Sequence, residues 1–193
     1  WRMLLILSGI LLLFVVMSLF TFNIAGQVRD LGLDETGIVM VEDQKEKIKV
    51  ASNAMALAIS QAIQKTGYKD EQEIISLIRT MLKPIIYEKD KSGYFFVYRN
   101  TTNIAMPVKE SLQGQDLKDL KDKNNVYVIQ ELDKKAKNGG GFVNYIWPKP
   151  GSGDTPKLSY AEMIPGLDMW IGTGVYVDNI DKTKASLSEK MQQ

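Results

Sequence analysis

Between Gly139 and Asp178 the chain reads GGGFVNYIWPKP, then PKLSYAEMI, then DMWIGTGVYVD. Runs of aromatic and β-branched residues, broken by Gly, Pro, Ser and Asp, are the composition of consecutive antiparallel strands joined by short turns. Two of the chain's three Trp lie here, as do Lys149 and Lys157. Aromatic walls with a few cations fit a small-molecule pocket as well as a packed sheet. The rest of the sequence reads as the means of holding this sheet outside a membrane.

Side-chain inventory narrows the chemistry. The chain has no His and no Cys, which removes Ser-His-Asp and Cys-His catalysis, imidazole and thiolate metal sites, and disulfides. A net charge of +1 gives no basic field for nucleic acid. Asp116, Asp119 and Asp122 lack the ligand order and loop glycine of a calcium-binding loop. The expectation is a binding module, with no enzymatic activity, metal or cofactor.

Met3 to Phe22 is a run of about twenty residues without a charge, enough to cross a hydrocarbon core as a helix. It exceeds a secretory signal's apolar region, and Ile24-Ala25-Gly26 is a poor cleavage site. Residues 1–23 are therefore expected to form a transmembrane helix, followed by a sensor-like domain over 24–178 and an exit helix over 179–193 pointing back to the membrane. From about Asp34 to Gln64 the pattern is helical. Val41, Ile48, Met55 and Ala62 recur every seventh residue, with Ala51 and Ala58 between them. That stripe suits either the domain's own sheet or the seam of a homodimer. Gly32 and Gly37 weaken the helix near the membrane.

Asp70, with Glu73 three residues on, is the N-cap pattern of a second helix whose apolar stripe runs from Ile74 to Ile86 past Pro84. Ser92–Asn100 alternates Tyr94, Phe96 and Tyr98 against Phe95 and Val97, so both faces of this first strand should be covered. Ile104–Val108 reads as a second strand, residues 112–125 as a polar loop and Val126–Lys137 as an amphipathic helix. In the third strand Val143, Tyr145 and Trp147 share a side. Residues 148–156, PKPGSGDTP, read as a hairpin loop. The fourth strand sets Lys157, Ser159 and Ala161 against Leu158, Tyr160 and Glu162, and in the fifth Gly172 and Gly174 flank Thr173. Asp178 opens the last helix.

At residue level, Gly93–Tyr98 (GYFFVY), Leu112–Leu117 (LQGQDL), Gly141–Pro150 (GFVNYIWPKP), Pro156–Tyr160 (PKLSY) and Trp170–Asp178 (WIGTGVYVD) occur in one order. In that order they resemble the single Cache family of extracytoplasmic sensor domains, found in methyl-accepting chemotaxis proteins and sensor kinases. The resemblance implies an α+β, PAS-like domain with a five-stranded antiparallel sheet and a long N-terminal helix. It also implies a membrane-bound sensor for a small ligand, with short carboxylates such as acetate, propionate or pyruvate favoured. The pocket it implies is lined by Tyr94, Phe96, Tyr145, Trp147, Lys157 and Tyr160, with Met106 and Thr173 added from the second and fifth strands. Where the family commonly carries a His-Pro pair, this chain has Met106-Pro107. Met cannot donate to a carboxylate, so that task moves to Lys157, tyrosine hydroxyls and backbone N–H groups. The alternatives are the sensor domain of a histidine kinase, or an anchored solute-binding protein with no signalling output.

Overall fold

A computed structural model describes the chain from Arg2 to Lys190, the side chains of most of residues 2–37 and of 184, 187, 188 and 190 excepted. The chain divides into two compact units, one holding Trp1–Met40 with Lys184–Gln193, the other Val41–Thr183. Helix α1 runs from Arg2 to Thr66, helical through Gly32 and Gly37. The apolar run read as a membrane span lies mostly among the side chains outside the description. Among the described residues no helix is long and apolar enough to cross a membrane.

The second unit is a six-stranded antiparallel sheet, one strand more than the sequence suggested. Its strands are β1 (Ile86–Tyr87), β2 (Gly93–Arg99), β3 (Thr102–Ala105), β4 (Gly141–Pro148), β5 (Asp154–Met163) and β6 (Trp170–Tyr176). The spatial order is β1-β2-β6-β5-β4, and β3 pairs with the far half of β2. The extra strand β1 is two residues long and follows helix α2 (Glu71–Leu82), which ends before Pro84 as proline geometry requires. Asp70 caps α2, its carboxylate accepting from the N–H groups of Gln72 and Glu73 at 2.9 and 3.2 Å. Strand β5 begins at Asp154, inside the stretch expected to be loop. Pro156 is tolerated because β6 reaches only to Lys157, leaving β5 without that neighbour at the proline.

Two cores sandwich the sheet. On one face Ala56 and Ile59 of α1 and Ile75, Ile78 and Leu82 of α2 meet Phe95, Val97, Ile104 and Ile171. Part of the heptad stripe packs here: Ala51 and Met55 lie against this core, whereas Ala58 is exposed; Ile48 is fully buried. On the other face α3 (Val128–Lys137) places Val128, Ile129 and Leu132 over Tyr94, Phe96, Tyr98, Val143, Tyr145 and Trp170. The polar 112–125 segment is held by its acids: Asp122 accepts from the N–H groups of Asn124, Val126 and Ile146, each at 2.8 Å. Helix α4 (Val177–Lys190) leaves directly from β6.

Candidate functional site

Strand alternation gives the face under α3 its side chains: Tyr94, Phe96 and Tyr98 from β2, Lys157, Ser159 and Ala161 from β5, Tyr145 and Trp147 from β4. Between β2 and β5 runs β6, which on this face presents Gly172, Gly174 and Tyr176. A Cβ on Gly172 would lie 2.6 Å from a Phe96 ring carbon, and one on Gly174 2.6 Å from the Leu158 carbonyl oxygen and 3.0 Å from Lys157 Cε. The two glycines thus clear the floor for Phe96 and Lys157.

Lys157 is 1% exposed, and its Nζ has no hydrogen-bond partner among the described residues. Three rings surround it, with centroids at 4.0 Å (Tyr94), 4.8 Å (Tyr176) and 5.5 Å (Phe96). A desolvated ammonium gains about 2 kcal/mol from such a ring. Stripping it of water costs several kcal/mol. Burial pushes the Lys157 amine below the ordinary lysine value, the three rings offsetting part of that cost.

Two cavities lie nearby; Lys157 lines neither, but Tyr94, whose ring faces its Nζ, lines both. An outer one of about 510 Å³ is bounded by Leu112 and Leu117 of the inserted segment, by Tyr94, Met106 and Trp147, and by Lys149 of the β4–β5 hairpin. An inner one of about 10 Å³, room for one water, is lined by Tyr94, Phe96, Met106, Tyr145 and Trp147 among others. Tyr94, Met106 and Trp147 border both and form the partition. Tyr145 is hydrogen-bonded to Ser159 Oγ at 2.8 Å. Burial raises the Tyr94 and Tyr145 hydroxyls well above the usual phenol value, keeping them protonated and able to donate. A groove of about 390 Å³ beside Arg79 and Lys83 lies on the α2 side and contains none of the predicted residues.

Six of the eight predicted residues therefore converge: Tyr94, Phe96, Met106, Tyr145, Trp147 and Lys157. The structure places Tyr160 and Thr173 elsewhere, since the period of two turns them to the opposite face. Tyr160 packs on the Phe142 ring at 4.9 Å. Thr173 Oγ1 donates to the Tyr94 carbonyl at 2.7 Å and is hydrogen-bonded with the Tyr87 hydroxyl. Sequence reasoning missed Tyr176, though its spacing from Gly172 and Gly174 already set it on the pocket face.

It also missed what Lys149 does. Only 5% exposed, its ammonium contacts Asp90 Oδ2 at 2.7 Å, both Asp178 oxygens at 3.0 and 2.8 Å, and Asn179 Oδ1 at 2.8 Å. Asn179 in turn donates to Ser92 Oγ at 3.2 Å. The hairpin that walls the outer cavity, the loop before β2 and the first turn of α4 are thereby tied by one side chain. Tyr176 adds a second tie, donating to the Pro148 carbonyl at 2.8 Å. Burial would lower the Lys149 amine, but its bonds to Asp178 and Asp90 outweigh that and raise it.

Comparison with known proteins bears on the family and the fold. The family model described as Cache domain matches residues 39–193. The sensor histidine kinase MctS of Rhizobium johnstonii is 34% identical over 158 residues, 79% of this chain and 33% of its own length. The methyl-accepting chemotaxis protein McpP of Pseudomonas putida is 29% identical over 71% of this chain and 25% of its own. The chain thus spans a third or less of these relatives. Among solved structures, a methyl-accepting chemotaxis protein from Vibrio parahaemolyticus superposes with a TM-score of 0.65 at 32% identity, covering 77% of this chain and 98% of that one. A Cache chemosensory domain described for its carboxylic acid recognition gives 0.60 at 26% identity, covering 75% and 97%. The chain belongs to the Cache domain family.

Proposed function

We propose that this chain is the extracytoplasmic sensing part of a transmembrane chemoreceptor, and that it binds a small carboxylate beside Lys157. The observation that carries the reading is the Lys157 side-chain nitrogen: buried, without a partner among the described residues, and ringed by Tyr94, Phe96 and Tyr176. A carboxylate entering from the outer cavity supplies the missing counter-charge, and Tyr94 and Tyr145 supply neutral donors. Because the inner cavity holds about one water, entry moves the partition of Tyr94, Met106 and Trp147. Binding then biases α4 through Tyr176 and Lys149, provided the ligand prefers one arrangement of that helix over another. Carboxylic acid recognition by a domain of the same fold supports the assignment.

The uncharged run Met3–Phe22 supports an anchor in the membrane, with the sheet outside it. On α1, Val50 (55% exposed) and Leu57 (48% exposed) lie one heptad apart beside exposed Ala54 and Ala58, which suits a second copy of the same helix. No catalytic step is assigned to the domain. The similarity to MctS favours a second reading, in which the output module is a histidine kinase.

A thermal-shift screen of small organic acids, amines and amino acids on the full chain tests the proposal. An acid at 100 times its dissociation constant adds about 2.7 kcal/mol of stability. Lys157→Ala is expected to stay folded and lose that response. A response to amines or neutral amino acids alone, or one that survives in Lys157→Ala, sinks it.

A further inference from the structure

Lys157 is buried in the floor of the pocket face, while Lys109, Lys121, Lys123 and Lys149 line the outer cavity; among the described residues no counter-charge meets the Lys157 Nζ. The groups facing it are Tyr94 and Phe96 from β2, Tyr176 from β6 and its register partner Tyr145 from β4. Among the described residues no carboxylate lies within ion-pair reach of its Nζ. Asp90 and Asp178 are taken by Lys149, the other lysine at the Tyr176 ring. Gly174 lets the lysine lie flat in the sheet floor, where water does not reach it.

Resting on the carboxylate reading above, we propose that Lys157 is uncharged in the empty pocket and takes a proton from solvent when the carboxylate enters, so the domain binds an anion and a proton together. The balance is simple. A carboxylate anion, one neutral amine and one solvent proton give a carboxylate–ammonium pair, with no bond between heavy atoms formed or broken. Linkage then dictates the pH response. Above the amine's value in the empty pocket, each further pH unit weakens carboxylate binding tenfold. A given carboxylate concentration therefore reads as a stronger stimulus in acid than in alkali, although the carboxylate itself stays ionised throughout.

Calorimetry of acetate, propionate and pyruvate binding to the full chain at pH 8, in buffers of different ionisation enthalpy, counts the protons. Uptake approaching one per ligand is expected, with none in Lys157→Arg, whose guanidinium is charged throughout. The Lys157 side-chain nitrogen resonance, assigned by comparison with Lys157→Arg, reports the same charge without relying on the variant's binding. It is expected to be that of a neutral amine before ligand and of an ammonium after. A carboxylate that binds without proton uptake, or an ammonium already present in the empty domain, overturns the inference and leaves the carboxylate reading standing. If none of the three acids binds, both fall.

Discussion

Lys149 donates to both carboxylate oxygens of Asp178, at 3.0 and 2.8 Å, and so joins the wall of the outer cavity to the first turn of the exit helix. With Asp90 and Asn179 as well, four acceptor oxygens share the three hydrogens of one ammonium. Lys149→Met removes all of them while keeping the stem's length. We expect a loss of about 1.5–3 kcal/mol in urea unfolding, nearer the lower figure because both carboxylates remain about a third exposed. Coupling in a double-mutant cycle with Asp178→Asn is expected; additive effects would show that the pair does not act as a unit.

The same cluster sets an acid limit. Burial would raise the Asp90 carboxyl, but the Lys149 bond and those from Ser92 outweigh it and hold it far below the ordinary value of 3.8. Asp178 is shifted the same way against burial, by Lys149 and then Lys182. Folded values below unfolded ones give stability that is present above about pH 4 and lost as pH falls through the folded values. Melting temperature should therefore fall below pH 4 in the wild type, and fall less steeply in Lys149→Met.

Lys157 destabilises the fold where the two aspartates stabilise it, but its pH slope has the same sign. Its folded value is depressed by burial, so the unfolded chain binds more protons over the window up to the ordinary lysine value of 10.5, and wild-type stability rises with pH there. Lys157→Met is expected to be more stable than wild type by about 1–4 kcal/mol at neutral pH. The gap should narrow toward pH 10.5, and carboxylate-induced stabilisation should vanish. A destabilised Lys157→Met across the whole range would mean the lysine has a partner.

Gly174→Ala brings a Cβ within 2.6 Å of the Leu158 carbonyl oxygen, which is backbone and cannot step aside. Overpacking of this kind costs about 1–3 kcal/mol. It should also displace Lys157 and weaken carboxylate affinity. Unchanged affinity in a destabilised variant would separate the glycine's structural part from any part in the pocket.

Leu57→Lys sets a charge on the exposed face of α1 without touching its buried face. If that face is the dimer seam, sedimentation should show more monomer at equal concentration, with the monomer's pocket intact. An unchanged distribution places the seam elsewhere.

Alternation made much of this legible beforehand. Alternation sets Tyr94 with Phe96, and Tyr145 with Trp147, on one side of their strands; that those sides and Lys157 share a pocket is what the family resemblance implies. The same rule spoke against Tyr160 and Thr173, whose neighbours in sequence, Ser159 and Gly172, point into the pocket; motif likeness had drawn them in. The heptad on α1 was legible as a stripe, but not in its destination, since Ile48 and Met55 would suit a sheet or a partner helix equally. Strand β1 escaped notice because two residues carry no period. Lys149 was hidden for a different reason: its partners lie at positions 90, 178 and 179, and only the closed sheet brings them together.

One ring stands between the two lysines. The Tyr176 centroid is 4.8 Å from Lys157 Nζ and 5.5 Å from Lys149 Nζ. Its π-electrons are a single finite resource, and a new positive charge on one side competes for them with the charge already on the other. Under the proposed reading, ligand site and exit helix are then a phenol's width apart, and a change in how one tyrosine divides its attraction would link them.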